Sequence, residues 1–269
     1  MPRSADDSRS GTQSIERAIH VLREITARSK FGWRPSDLAA RCGLDRGTTH
    51  RILACLVRER LVQQRGSDRH YIPGPLIFEM SLAMPAYAGL RTACQPILAR
   101  LARQLPGYAL LCARSGAETV CIASAGIPAY LGTAFDVGTR RPLTATAAGV
   151  AILVALPAAE AEAIADHHLQ RADTPSEPSR NALRRMWRRS QTLGYGVNLG
   201  FTARNVNAVG VPLRDADQRP FGSLALAGDA ASLPSARIPE IAGIPSAEGK
   251  GIERLVRQTF PEGAYNASE

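Results

Sequence analysis

Apolar residues recur at helical spacing through the first sixty positions. Ile15, Ala18, Ile19, Leu22 and Ile25 fall on one face of a helix that opens near Ser14, a suitable N-cap. The segment SKFGW interrupts it. Arg34-Pro35-Ser36-Asp37 starts a second helix, with proline early, aspartate in the first turn, and Leu38, Ala39 and Cys42 as its apolar face. Gly43 ends that helix at a position suited to positive φ. Asp45 can cap a third helix by accepting from the Thr48 amide, and Thr49, Ile52, Leu53, Leu56 and Val57 form its inward stripe. Arg46, Gly47, Thr48, His50 and Arg51 then face outward at its N-terminal end.

The period shortens after residue 60. RLVQQRG and DRHYIPG read as two strands around the turn Gly66-Ser67-Asp68, with Arg65, Arg69 and His70 at the tip. Three helices, a tight glycine turn and a basic hairpin predict a winged helix-turn-helix over residues 14–75, preceded by a disordered tail at 1–13. Helical spacing returns from Pro75, interrupted by Pro85 and Pro96, and predicts a linker helix over 76–90 and then the first helix of a second domain. In that domain, residues 91–260, YALLCARSGAETVCIASA reads as a hairpin, AYLGTAFDV as a strand, and TATAAGVAILVALP as an apolar helix ended by Pro157. Helices are predicted over 158–170 and 180–193. VNAVGVPLRDADQRPFGSLALAG reads as two strands around residues 215–218, residues 232–248 as a loop, KGIERLVRQTF as a closing helix, and 261–269 as a tail. Helices and hairpins in this mixed order predict an α+β fold.

Charge sharpens the picture. The 269-residue chain carries a net charge of +9, and residues 1–75 hold 14 Arg/Lys against 8 Asp/Glu. The basic excess is concentrated where the outward polar cluster lies, which favours an anionic partner. Five scattered cysteines without paired spacing point to reduced thiols in a cytoplasmic protein. No apolar run reaches the length of a membrane span, and the polar N-terminus has no signal-peptide core.

A helix start exposes unpaired N–H groups and partial positive charge. Arg46, Thr48, His50 and Arg51 add donors there for phosphates and base edges, and the first turns of the second helix of a helix-turn-helix enter the major groove. With Ser36 at the preceding helix start and Arg65, Arg69 and His70 in the wing, these residues form the expected operator-binding set. The plain alternative is a solvated basic face.

QSIERAIHVLREI, DLAARCGLDRGTTHRILACLVRERLV, RHYIPGPLIFEMSLA, VGTRRPLTATAAGVAILVALP and LGYGVNLG resemble, in this order, the IclR family of bacterial transcriptional regulators, as does VNAVGVPLRDADQRPFGSLALAG. The resemblance covers about residues 12–228. It implies a GAF-like effector domain joined by a helix to the winged domain, homodimers that pair into tetramers, and control of catabolic or transport genes by a small acidic metabolite. Several positions depart from the family pattern: Thr144, Val150 and Phe201 stand where His, Lys and an acidic residue are usual, and Ala225 and Ala227 stand where polar residues are common.

The implied effector site comprises Thr144, Ala145, Thr146, Ala147 and Gly149 at a helix start, where N–H and hydroxyl groups can hold a carboxylate. Asn198, Phe201 and Asn205 follow from the loop after GYG, and Ala225 and Ala227 from the last strand, with Leu224 and Leu226 adding apolar wall. An organic acid with an apolar body, aromatic ones included, fits that composition. Thr144 and Thr146 could equally be plain caps, and Asn198, Phe201 and Asn205 turn residues.

No cofactor or metal is expected. Asp166-His167-His168 lack a third ligand and read as surface; Cys112 and Cys121 read as two buried thiols in neighbouring strands; RRMWRR at 184–189 reads as a solvated helix face, with contact to DNA as the alternative. GYGVNLG has the wrong spacing for a dinucleotide loop, and no hydrolase or kinase motif occurs. The alternative from another class is a small-molecule enzyme or sensor whose N-terminal domain serves only dimerisation.

Overall fold

The computed structural model describes residues 7–29, 31–104, 107–126, 136–170, 177–201 and 205–261. The chain divides into two compact units, Met1–Pro85 and Ala86–Glu269. No described helix is long and apolar enough to cross a membrane.

The first unit holds α1 (Asp7–Ala27), α2 (Pro35–Cys42), α3 (Arg46–Arg58), the hairpin β1 (Val62–Gln64) and β2 (Tyr71–Pro73), and α4 (Pro75–Ser81). Gly43 ends α2 at φ 63°, as expected of its turn. Val21, Ile25, Leu38, Leu53, Leu56 and Val62 make its core. A bridge between Trp33 and Tyr71 adds a third short segment to the hairpin. Two helix faces differ from expectation. α1 starts at Asp7, so Ser14 is inside the helix and residues 7–13, expected as tail, are helical. Val21 takes the inward place while Ile15 and Ile19 are 59% and 52% exposed. On α3, Val57 is 39% exposed, because Leu53 and Leu56 already fill the narrow face against α1 and α2.

The second unit opens with α5 (Pro85–Gln104). The interruption expected at Pro85 falls at residues 82–84, where Pro85 cannot continue α4 but can start α5, so the stretch 76–90 expected as linker helix is shared between two helices. Pro96 lies inside α5. A six-stranded antiparallel sheet follows in the order β5-β4-β3-β8-β7-β6, formed by β3 (Tyr108–Ser115), β4 (Glu118–Gly126), β5 (Arg140–Pro142), β6 (Gly196–Leu199), β7 (Val206–Arg214) and β8 (Pro220–Asp229). Most of the strand expected in AYLGTAFDV lies outside the described residues. GYGVNLG, expected as a turn, contributes β6.

One sheet face presents Ala109, Leu111, Val209, Val211, Leu224 and Leu226 to α5 and to α9 (Ile238–Thr259). α9 starts inside the stretch expected as loop: Pro239 falls in its first turn, where no intrahelical N–H is needed, and Ile241, Ala242, Pro245, Ile252 and Val256 keep helical spacing. The opposite face is covered by α6 (Ala147–Ala155), with α7 (Ala158–Gln170) and α8 (Glu177–Leu193) packed around it. Helices gathered on an antiparallel sheet make this an α+β chain.

Candidate nucleic-acid interface and effector site

The nucleic-acid face is built from the turn between α2 and α3. Asp45 is extended and accepts from the Thr48 amide at 2.8 Å. That bond holds the Asp45 carboxyl below its ordinary pKa, so it stays an acceptor. The capped helix then presents Arg46, Gly47, His50 and Arg51 to solvent, with Thr48 half-buried. Arg51 Nη2 donates to Thr48 Oγ1 at 3.2 Å, which aligns the two side chains on the outer face. Ser36 is exposed and donates to Asp37 Oδ1 at 3.2 Å.

The wing residues are not equivalent. Arg65 donates to both oxygens of Asp68, at 2.9 and 2.6 Å, and to the Phe31 carbonyl at 2.7 Å. It braces the hairpin against the loop after α1. Its guanidinium is thereby committed, contrary to the expectation that it is simply presented to DNA. This pairing holds Asp68 well below the usual carboxylate range. His70 is half-buried, its Nδ1 lying 2.7 Å from Asp68 Oδ2 without hydrogen-bond geometry. Arg69 sits at φ 58°, exposed, and no ion pair of its side chain occurs among the described residues. Arg34, which the sequence patterns did not single out, is exposed immediately before α2. Its signal was its place beside a helix start.

The candidate effector site lies where α6 meets the sheet. Cβ atoms added at Gly196 and Gly210 would fall 1.9 and 2.7 Å from the Ala147 carbonyl, so only glycine lets the α6 start settle on β6 and β7. Thr146 caps α6, accepting from the Gly149 amide at 3.0 Å. Beside this helix start, strand register places small residues side by side: Ala208 opposite Ala227, and Gly210 opposite Ala225. Tyr108, Leu110, Cys112, Cys121, Val206 and Ala148 pack with Ala225 and Ala227 in one apolar cluster. Its edge is polar, where the Tyr108 hydroxyl bonds to Ser124 Oγ at 2.8 Å. Burial raises the Tyr108 pKa, so that hydroxyl is neutral near pH 7.

The expected site residues do not all come together. Ala225 and Ala227 lie in this cluster, bordered by the helix start that contains Thr146, Ala147 and Gly149. Thr144 and Ala145 form a 3-10 turn just before it. Thr144 is buried and its hydroxyl is bonded to His168 Nδ1, so His168 is an internal partner and not the surface residue expected. Asn198 is buried on β6, opposite Ala208, and Oδ1 accepts from the Phe201 amide at 2.9 Å. Phe201 packs with Val150, Leu183 and Met186, on the α8 side of α6. Asn205 is an exposed turn residue at φ 60°. Leu224 and Leu226 point to the α5 and α9 face, because strand side chains alternate; they do not line this cluster. Sequence reasoning missed Tyr108, Leu110, Val206 and Ala208, although the alternation in YALLCARS and VNAVG carried their signal. Cys112 and Cys121 are cross-strand partners, buried and free. Among the described residues no group of three His, Cys, Asp or Glu side chains could hold a metal.

A family model for the IclR helix-turn-helix domain matches residues 14–66, and one for the C-terminal domain of bacterial IclR transcriptional regulators matches residues 86–253. The chain is 31% identical over 215 residues to the HTH-type transcriptional regulator Rv1719 of Mycobacterium tuberculosis, covering 80% of this chain and 82% of that protein. It is 24% identical over 215 residues to the regulator XynR of Escherichia coli, covering 80% and 85%. An IclR-family regulator from Brucella abortus superposes with TM-score 0.72 at 24% identity, over 93% of this chain and 95% of that one. An IclR homologue from Microbacterium hydrocarbonoxydans, solved with 4-hydroxybenzoate, superposes with TM-score 0.66 at 21% identity, over 91% and 99%. These relatives are regulators, which removes the enzyme alternative.

Proposed function

This chain belongs to the IclR family of bacterial transcriptional regulators, and we propose that it reads an inverted-repeat operator as a symmetric dimer and responds to a small aromatic or aliphatic acid. The DNA-reading role rests on the capped start of α3, with Arg46, Thr48, His50 and Arg51 beside Ser36 of α2, and with Arg69 in the wing. One recognition helix covers only a few base pairs, so a two-fold dimer reading half-sites about 34 Å apart is the natural unit. Exposed apolar residues of the first unit support that dimer: Ile15 and Ile19 on α1, Phe78 on α4, and Leu82 after it. Pairing of two dimers into a tetramer fits the same family pattern. The protein then acts in the cytoplasm, beside the chromosome, on a catabolic operon.

The ligand class rests on one observation: Ala208, Ala225 and Ala227 lie side by side beneath apolar walls and next to a helix start. A helix start holds a carboxylate through backbone N–H groups without a lysine or arginine, and an apolar wall with few polar groups suits an organic body. Thr146 contributes by fixing the first turn through Gly149. The Tyr108–Ser124 pair can receive a second polar group at the far end of the ligand. The acid bound by the Microbacterium homologue makes 4-hydroxybenzoate the first compound to test. Calorimetry of the full chain should show binding of benzoate-type acids in preference to glyoxylate or pyruvate, and Ala225→Leu should abolish it while operator affinity stays the same. Binding confined to the polar oxoacids, or undiminished in Ala225→Leu, would reject this site.

A further inference from the structure

The basic charge of the second unit is segregated on one helix. Residues 86–269 carry 19 Arg/Lys and 15 Asp/Glu, net +4, and α8 alone carries five arginines and one glutamate, also net +4. The rest of that unit is therefore neutral overall, and its entire positive excess belongs to α8. Arg184, Arg185, Arg188 and Arg189 are all exposed. Their spacing forms two neighbouring i,i+4 rows on one face, about 6 Å apart along the axis.

The helix is seated so that this face must look outward. Leu183, Met186 and Ser190 are buried, Trp187 is half-buried against α6, and the Ser190 hydroxyl accepts from the Val197 amide of β6 at 3.0 Å. Arg184 donates to Asn181 Oδ1, a neutral group, at 3.3 Å. For Arg185, Arg188 and Arg189 no carboxylate partner occurs among the described residues, whereas Arg100, Arg114, Arg140 and Arg237 of the same unit are each paired with a glutamate. Like charges at i,i+4 oppose helix formation, so Arg185 and Arg189, with no carboxylate partner among the described residues, weaken α8 unless an anion lies against them.

The geometry points to α8 as a second DNA-contacting surface, in which Arg185, Arg188 and Arg189 bind backbone phosphates of duplex flanking the operator. This rests on the operator-binding role proposed above. A row of cations spaced at about 6 Å suits a phosphate chain, because contacts of this kind carry affinity without sequence information. The operator held by the first unit supplies that polyanion at high effective concentration, so weak contacts at α8 become intramolecular. A single acidic ligand would engage one or two of these side chains; a duplex engages the whole face.

The test compares two duplexes: the operator trimmed to its footprint, and the same operator extended by about two helical turns at each end. Full-length wild type should bind the extended duplex at least tenfold tighter at low salt, with a salt slope steeper by about two. In R185E/R189E that advantage should vanish while affinity for the trimmed operator is unchanged, and R185K/R189K should restore it. A flank advantage that persists in R185E/R189E, or that is absent from wild type, overturns the α8 contact and leaves operator reading intact. Loss of trimmed-operator binding in wild type would instead overturn the operator reading and this contact with it. If R185E/R189E binds anionic lipid vesicles as wild type does and keeps the flank effect, the charged face has no part in either.

Discussion

Arg65 and Arg69 occupy one hairpin tip and are held differently. Arg65 is tied to Asp68 and to the Phe31 carbonyl, while Arg69 projects from a left-handed turn. Arg69→Ala should therefore weaken binding to all duplexes alike and lower the salt slope by about one, with no change in thermal stability. Arg65→Ala should instead lower the melting temperature and loosen the wing. On α3 the expected effect is specific: Arg46→Ala, Thr48→Ala and Arg51→Ala each cost about 1–3 kcal/mol of operator discrimination, measured by titration against operator and scrambled duplexes. Patterns in the chain exposed the α3 residues because capping, spacing and outward placement are local properties. They could not separate Arg65 from Arg69, since the Arg65 partner at Phe31 lies far away in sequence. The cysteines offer a second residue-scale check. Burial, with help from Glu24, pushes the Cys42 thiol up to about 11; burial does the same for Cys94. Cys112 is raised by its hydrogen bond with Cys121 and by burial. Only exposed Cys55 should react rapidly with a thiol reagent at neutral pH, and the remaining equivalents should appear on unfolding.

At the scale of elements, α6 and β6 depend on each other. Gly196→Ala would drive a Cβ into the Ala147 carbonyl. The helix start must then lift, at a cost of about 1–3 kcal/mol or more, and calorimetry should show effector binding lost together with a lower melting temperature. Thr146→Ala removes only the cap, costing about 1 kcal/mol, and should leave a weakened site. The same glycine explains why β6 was hidden. A glycine that serves close approach of a helix looks, in sequence, like a glycine that serves a turn. The β7–β8 hairpin was legible because its alternation is long and Asp215 closes the turn, accepting from the Asp217 and Arg219 amides. That same alternation turns Leu224 and Leu226 to the face opposite Ala225 and Ala227, away from the wall expected of them. α9 was hidden by prolines that its first turn and its packed interior accommodate.

The whole molecule combines an electropositive first unit with a second unit whose cation excess is confined to one helix. Fold class was readable from the chain, as was the exposed, capped start of α3 that forms the candidate DNA-binding face; the candidate ligand cluster was only half readable, since Tyr108, Val206 and Ala208 join Ala225 only through sheet pairing. A ligand switches such a molecule only by binding one conformation better than another. The most direct measurement is a footprint of the full-length protein on the DNA upstream of its own gene, with and without the acid found by calorimetry. Two protected half-sites about one helical turn, or a multiple, apart are expected, with protection that shifts by tenfold or more in protein concentration when the acid is added. A single half-site, or protection identical with saturating acid, would contradict the proposed function.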